Sequence, residues 1–356
     1  MATYDVVMDA QSRGMTWDRG LWLHSKRWDL CFLTLSGVLV VMPLVLYELV
    51  GSSAIFVNLL VAGLIGGPHM YATFFRTTLD SSFRQRHPFV VFGSCAIPVL
   101  VVALALIHFQ LLITMFFFWA SVHVLHQVGY IVECYNRKQI QPIQQWSRLI
   151  DYALVFSCLF PMASYKFIHN EFYIGHTLLL YPDIFKTPII FYMVTAFFSL
   201  ALLLFLGRTV FEIKQGTVHY PKLFLILTTV ALALLITSYS GRRLEIAFQG
   251  FNTWHSFQYL ALTWYITLLR RQHNPGDSTV MTWLAKTADR RSFWAFYGAN
   301  FALTILALAV IGTVVYLTNL GFERSYYIVV LSVLLMHYYH DHVLFTRFDD
   351  LLAPSP

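Results

Sequence analysis

The chain has 356 residues, of which 58% are hydrophobic and only 12% charged, and it cannot cover its own apolar surface as a soluble globule, because soluble domains carry roughly a quarter charged residues. Its mean hydropathy of +0.61 agrees. The formal net charge of +6 is scattered over short segments between apolar runs, with no basic tail and no groove-reading motif, and this excludes a nucleic-acid partner.

Residues 1–29 are mixed polar and aromatic, so they read as a cytoplasmic or interfacial segment with no cleavable signal. Ten apolar runs follow, each near the roughly 20 residues that a spanning helix needs. They are Leu30–Val50, Ala54–Phe75, Phe89–Ile107, Leu111–Ile131, Leu149–Tyr165, Ile189–Gly207, Pro221–Ser238, Phe248–Leu269, Trp294–Tyr316 and Tyr326–Phe345. The fifth is the shortest, and the stretch from Lys166 to Pro188 leaves room for an interfacial helix. Without repeats or low-complexity segments, 30–346 reads as one membrane domain and 347–356 as a cytoplasmic tail. The expectation is an all-α polytopic helix bundle of about ten transmembrane helices.

Loop charges test that count. With a cytoplasmic N-terminus, 19 lysines and arginines fall on the cytoplasmic side, and only Lys166, Lys186, Arg242, Arg243 and Arg324 fall opposite. The bias predicts an even number of spans and two cytoplasmic termini. Arg76, Arg84 and Arg86 read as head-group anchors beside Asp80, and Glu133 as a solvated interfacial carboxylate. Arg242 and Arg243 read as snorkelling or lipid-binding groups. Cys31, Cys95, Cys134 and Cys158 form no C-x-x-C pair, so neither a disulfide framework nor a thiolate metal site follows.

Histidine is the unusual residue. There are 14; His24, His87, His108, His169, His176, His219 and His273 belong to loops or interfaces. His69, His123, His126, His255, His337, His340 and His342 fall inside predicted spans, where an ionisable group is costly and marks function by default. His123, His126, Gln127 and Tyr130 share one helical face; His255, Gln258 and Tyr259 share another; His337, His340 and Asp341 share a third. Counted along the spans, His69, His123, His126, His337 and His340 lie in the cytoplasmic half and His255 nearer the middle.

A lone membrane histidine is often only an interhelical hydrogen-bonding group, but six near one level on four helices point to a metal held by His69, His123, His126, His255, His337 and His340. Imidazole without thiolate, in an apolar setting, suits non-haem Fe(II), mononuclear or dinuclear, with O2 as co-substrate. Tyr130, Tyr259 and Asp341 are the candidate catalytic or supporting groups. The expected partners are a lipophilic substrate, membrane lipids and a redox partner. A haem-binding electron-transfer protein and a metal or proton transporter are the alternative readings.

The arrangement resembles the Brp/Blh-type membrane β-carotene 15,15′-dioxygenases of bacteria and archaea. The pieces that carry the likeness are Gly66-Gly67-Pro68-His69, the turn from His123 to His126, the helix of His255, and His337 with Asp341. Tyr259 stands where that family's pattern has a second histidine. The resemblance implies an iron-binding helical scaffold in a bacterial or archaeal cytoplasmic membrane, acting on a carotenoid-, isoprenoid- or lipid-like substrate.

Overall fold

The computed structural model describes residues 21–139, 143–169, 172–174, 177–273, 291–318 and 320–346. Helix α1 covers Lys26–Glu48, α2 Ala54–Phe75, α3 Ser81–Arg86, α4 Pro88–Ile107, α5 Phe109–Lys138, α6 Gln145–Ser157 and α7 Phe160–Ile168. After a two-residue antiparallel pair, Tyr173–Ile174 with Thr177–Leu178, come α8 Pro188–Gln215, α9 Tyr220–Ser238, α10 Gly241–His273, α11 Arg291–Thr318 and α12 Phe322–Thr346. The protein is therefore an all-α bundle.

Among the described residues, eight helices are long and apolar enough to cross a membrane: α1, α2, α4, α5, α8, α9, α11 and α12. They coincide with eight of the ten predicted spans. The fifth is instead two short helices, because α6 ends at Ser157 and Pro161 opens α7. The eighth is α10, a single helix of 33 residues. Its apolar signal is diluted by Glu245, Gln249, Asn252, Gln258 and other polar residues that turn into the bundle.

Burial separates the helices into two groups. The most apolar windows of α4, α8 and α11 are only 17%, 17% and 11% buried, against 56%, 50% and 50% for α5, α9 and α12. Leu200, Leu203 and Phe211 of α8 and Leu306, Val310 and Leu317 of α11 point outward. Large apolar side chains presented outward are the surface a lipid solvent selects.

At the centre, α10 packs on α1, α2, α5, α9 and α11, while α12 packs on α2, α4, α5 and α11. Close approach of α10 to α1 depends on Gly250, where a Cβ would lie 1.9 Å from the Val40 carbonyl oxygen. Helix α1 is wound irregularly over Leu30–Val41. There α10 supplies donors, from Gln258 Nε2 to the Leu33 carbonyl at 2.6 Å and from Trp254 Nε1 to Ser36 Oγ at 3.1 Å.

Candidate metal centre

Four helices bring one histidine each to a common level. His69 lies fifteen residues after Ala54, His123 fourteen after Phe109, His255 fourteen after Gly241 and His337 fifteen after Phe322, each counted from the start of its helix. His255 shares the level of the others rather than lying nearer the middle, because α10 begins at Gly241, seven residues before the apolar run that starts at Phe248.

His69 is set by its local sequence. Pro68 has no N–H to offer the Leu64 carbonyl, so Tyr297 Oη donates to that oxygen at 2.6 Å. The preceding turn, Ala62–Gly66, is widened to a π-helix. His69 Nδ1 lies 2.8 Å from the Gly66 carbonyl. A carbonyl only accepts, so Nδ1 carries the proton and Nε2 is left as a lone-pair donor toward the interior. Gly67 lets α11 come close: a Cβ there would meet Thr304 Cγ2 at 2.2 Å.

The rings form a closed quadrilateral. Centroids of His69 and His255 are 5.0 Å apart, His255 and His123 4.9 Å, His123 and His337 4.9 Å, and His337 and His69 4.5 Å, all edge-on. One ring nitrogen from each lies within 4.8 Å of the other three, a group that can hold a metal ion. All four residues are buried, His123 being the most exposed at 3%. His69 Nε2, His123 Nε2 and both nitrogens of His255 and His337 have no hydrogen-bond partner among the described residues. Four buried imidazoles with unused nitrogens around one point are unfavourable without a ligand, since each unmet buried polar atom costs about 1–3 kcal/mol.

Asp341, one turn after His337, stands beside the group. Thr73 Oγ1 and Tyr259 Oη both donate to its Oδ1, at 2.6 and 2.7 Å. The other oxygen, Oδ2, lies 3.6 Å from His337 Nε2 and 3.9 Å from His123 Nε2 and has no hydrogen bond among the described residues. Tyr259 thus orients Asp341. Its ring also lies edge-on to those of His69 and His337, 5.4 and 5.2 Å away. Tyr130 is one ring further out, packed on Phe345 at 4.8 Å.

His126 and His340, candidate ligands by sequence, do not enter the group. Each follows a member of the group by three residues, about 60° around the helix from it, and only one imidazole per helix converges on the shared point. His126 turns toward Phe156 and His342, with centroids at 6.4 and 5.4 Å. His340 Nδ1 pairs with Thr77 Oγ1 at 3.1 Å. His24, His87, His108, His169 and His219 lie apart from the group, as expected. At the entrance to α9, burial and the Lys222 charge hold His219 at about 4, so it is neutral at neutral pH. His176 and the side chain of His273 lie outside the described residues.

Several residues escaped the sequence reading. Thr73, Arg76 and Thr77 follow His69 by four, seven and eight residues, a helical spacing in the sequence that could have flagged them, although Arg76 and Thr77 lie in the turn just past α2. Arg76, which the sequence presents as a head-group anchor, is 3% exposed, and its Nε and Nη1 have no hydrogen bond among the described residues. Its charge lies within electrostatic reach of Asp341, Tyr259 and Tyr130. Glu133 is likewise buried rather than solvated; it accepts from Asn136, Arg137, Arg148 and Tyr152.

A cavity of about 120 Å³ reaches the group at His69. Much of its wall is apolar, with Phe117, Val124, Leu308 and Leu334 among the lining residues. No family model, curated protein or solved structure matches this chain.

Proposed function

We propose that the protein is an integral-membrane oxygenase in which His69, His123, His255 and His337 hold one non-haem iron and act on a lipophilic substrate with O2. The observation that carries this reading is the four-histidine group itself: buried, thiolate-free, drawn from four helices, and open to an apolar cavity at His69. Bound iron would supply the binding and reduction of O2.

The residues around it have separable tasks. Gly66 fixes the His69 tautomer through its carbonyl. Thr73 and Tyr259 hold one oxygen of Asp341 so that the other faces His337 and His123. That free oxygen can take a proton from a ring N–H or serve as an additional ligand. The packed aromatic rings of Tyr259, Tyr338 and Phe345 exclude bulk water from the reacting atoms. The likeness of these segments to the β-carotene dioxygenases supports a carotenoid- or isoprenoid-like substrate.

The geometry disfavours the haem alternative. Ring centroids only 4.5–5.0 Å apart around the whole quadrilateral leave no slab for a planar macrocycle. The test is elemental analysis with an optical spectrum of detergent-purified protein. The expected result is about one iron per chain, no Soret band, and O2 uptake that requires an added isoprenoid. Absence of iron, or O2 uptake unchanged in the His255→Ala variant, would sink the proposal.

A further inference from the structure

The cavity that ends at His69 has a second, polar end. Asn58, Ala62, Gly66 and His69 line it on successive turns of α2, and Glu245, Gln249 and Asn252 line it from α10. Asn58 Nδ2 donates to Glu245 Oε1 at 2.8 Å. Asn58 Oδ1 and Glu245 Oε2 are buried atoms with no hydrogen bond among the described residues. Both are acceptors, so the position lacks a donor. Glu245 Oε2 lies 3.9 Å from Arg242 Nη1, which offsets its charge without occupying it as a hydrogen bond.

Two helices measure the length of this cavity independently. Eleven residues separate Asn58 from His69 and ten separate Glu245 from His255, so the acceptor pair lies about 15 Å along the bundle from the histidine level. Between the two ends, α11 and α12 contribute mainly apolar side chains such as Ala307, Leu308, Ile311 and Leu331.

We infer that the ligand of this cavity is an amphiphile with a neutral hydroxyl head, whose single O–H donates into the Asn58–Glu245 acceptor pair while its apolar chain of about 15 Å extends toward His69. This rests on the proposed function for what happens at the histidines, but not for binding. A hydroxyl supplies the missing donor. A carboxylate would meet Glu245 with like charge, and a hydrocarbon would leave both oxygens unmet, which costs binding. The acceptor pair therefore sets which carbon of the chain reaches the histidine group.

Binding to the metal-free full-length protein in detergent tests this without any turnover. The probes are a long-chain primary alcohol, the alkane of equal length and the matching fatty acid, each read by displacement of a fluorescent alcohol. The alcohol should bind about tenfold more tightly than the alkane, and the fatty acid more weakly than the alcohol. Glu245→Gln and Asn58→Leu should each shrink the alcohol preference while leaving alkane affinity in place. Glu245→Gln keeps the side-chain shape, so it remains informative if Asn58→Leu fails to fold. Equal affinity for alcohol and alkane, tighter binding of the fatty acid, or an alcohol preference untouched in Glu245→Gln would each overturn the inference. None of those outcomes bears on iron content or O2 uptake, so the two readings fail separately.

Discussion

Two of the buried polar clusters in this bundle differ in whether their atoms are satisfied. Beside α6, α8 and α9, Asp151 receives Arg208 Nη2 at 2.5 Å on one oxygen and Lys222 Nζ at 3.0 Å on the other. Arg208 Nη1 also donates to the Ser147 carbonyl and hydroxyl, and Lys222 Nζ to Asn136 Oδ1. At the histidine group, ring nitrogens of four residues and one oxygen of Asp341 meet no hydrogen-bond partner among the described residues. A cluster whose charges pair internally is a structural element. A cluster of orphaned lone pairs is incomplete until something binds it.

The contrast breaks most sharply at Asp151. Replacing it with Ala takes the carboxylate from Lys222, leaves Arg208 with Glu212 alone among the described residues, and should cost about 3–5 kcal/mol. A large fall in thermal midpoint, with unchanged metal per folded chain, is the expected result. The histidines should behave in the opposite way. His255→Leu removes two unmet nitrogens, so the metal-free protein should lose little stability or gain up to about 1–3 kcal/mol, while its metal content collapses. Metal analysis and chemical denaturation of the same preparations check both arms. Equal destabilisation by the two substitutions would erase the distinction drawn between the clusters.

The difference also explains what the sequence made legible. The histidine helices carry their signal locally, as ionisable residues in apolar runs at matching positions, and that sufficed to name all four converging helices. It did not separate His123 from His126 or His337 from His340, because residues three apart share a broad face and only packing decides which one converges. The Asp151 cluster was invisible. Arg208 and Lys222 lie 57 and 71 residues from Asp151, the three come from three helices, and no periodicity betrays them. The burial of Arg76 and Glu133 is hidden for a related reason: a charge at the end of an apolar run looks solvated until neighbouring elements are placed over it. The eighth and fifth apolar runs mark the limit of hydropathy, since α10 trades apolar character for polar groups facing inward and α6–α7 is broken.

Smaller effects sharpen the picture around the metal group. Gly250→Ala places a Cβ 1.9 Å from the Val40 carbonyl, which neither backbone can absorb in place. A loss of about 1–3 kcal/mol in stability is expected, with metal content per folded protein falling only as α10 shifts. Tyr259→Phe removes one of two donors to Asp341 Oδ1. It should keep the fold and lower metal affinity about tenfold, the lower end of what loss of a supporting hydrogen bond costs a metal site. Competition against a chelator reads that directly.

The smallest effect is expected at His126, and it is the most discriminating. Its ring belongs to the same helix as His123 but faces Phe156 and His342. Truncation to Ala should therefore leave metal stoichiometry and affinity unchanged, and cost only the packing of one part-buried ring. His123→Ala, one turn away on α5, should lose the metal. A loss of stoichiometric binding in His126→Ala would mean that α5 rotates on loading and that two histidines of one helix share the centre. The convergence of one imidazole per helix would then describe only the metal-free protein.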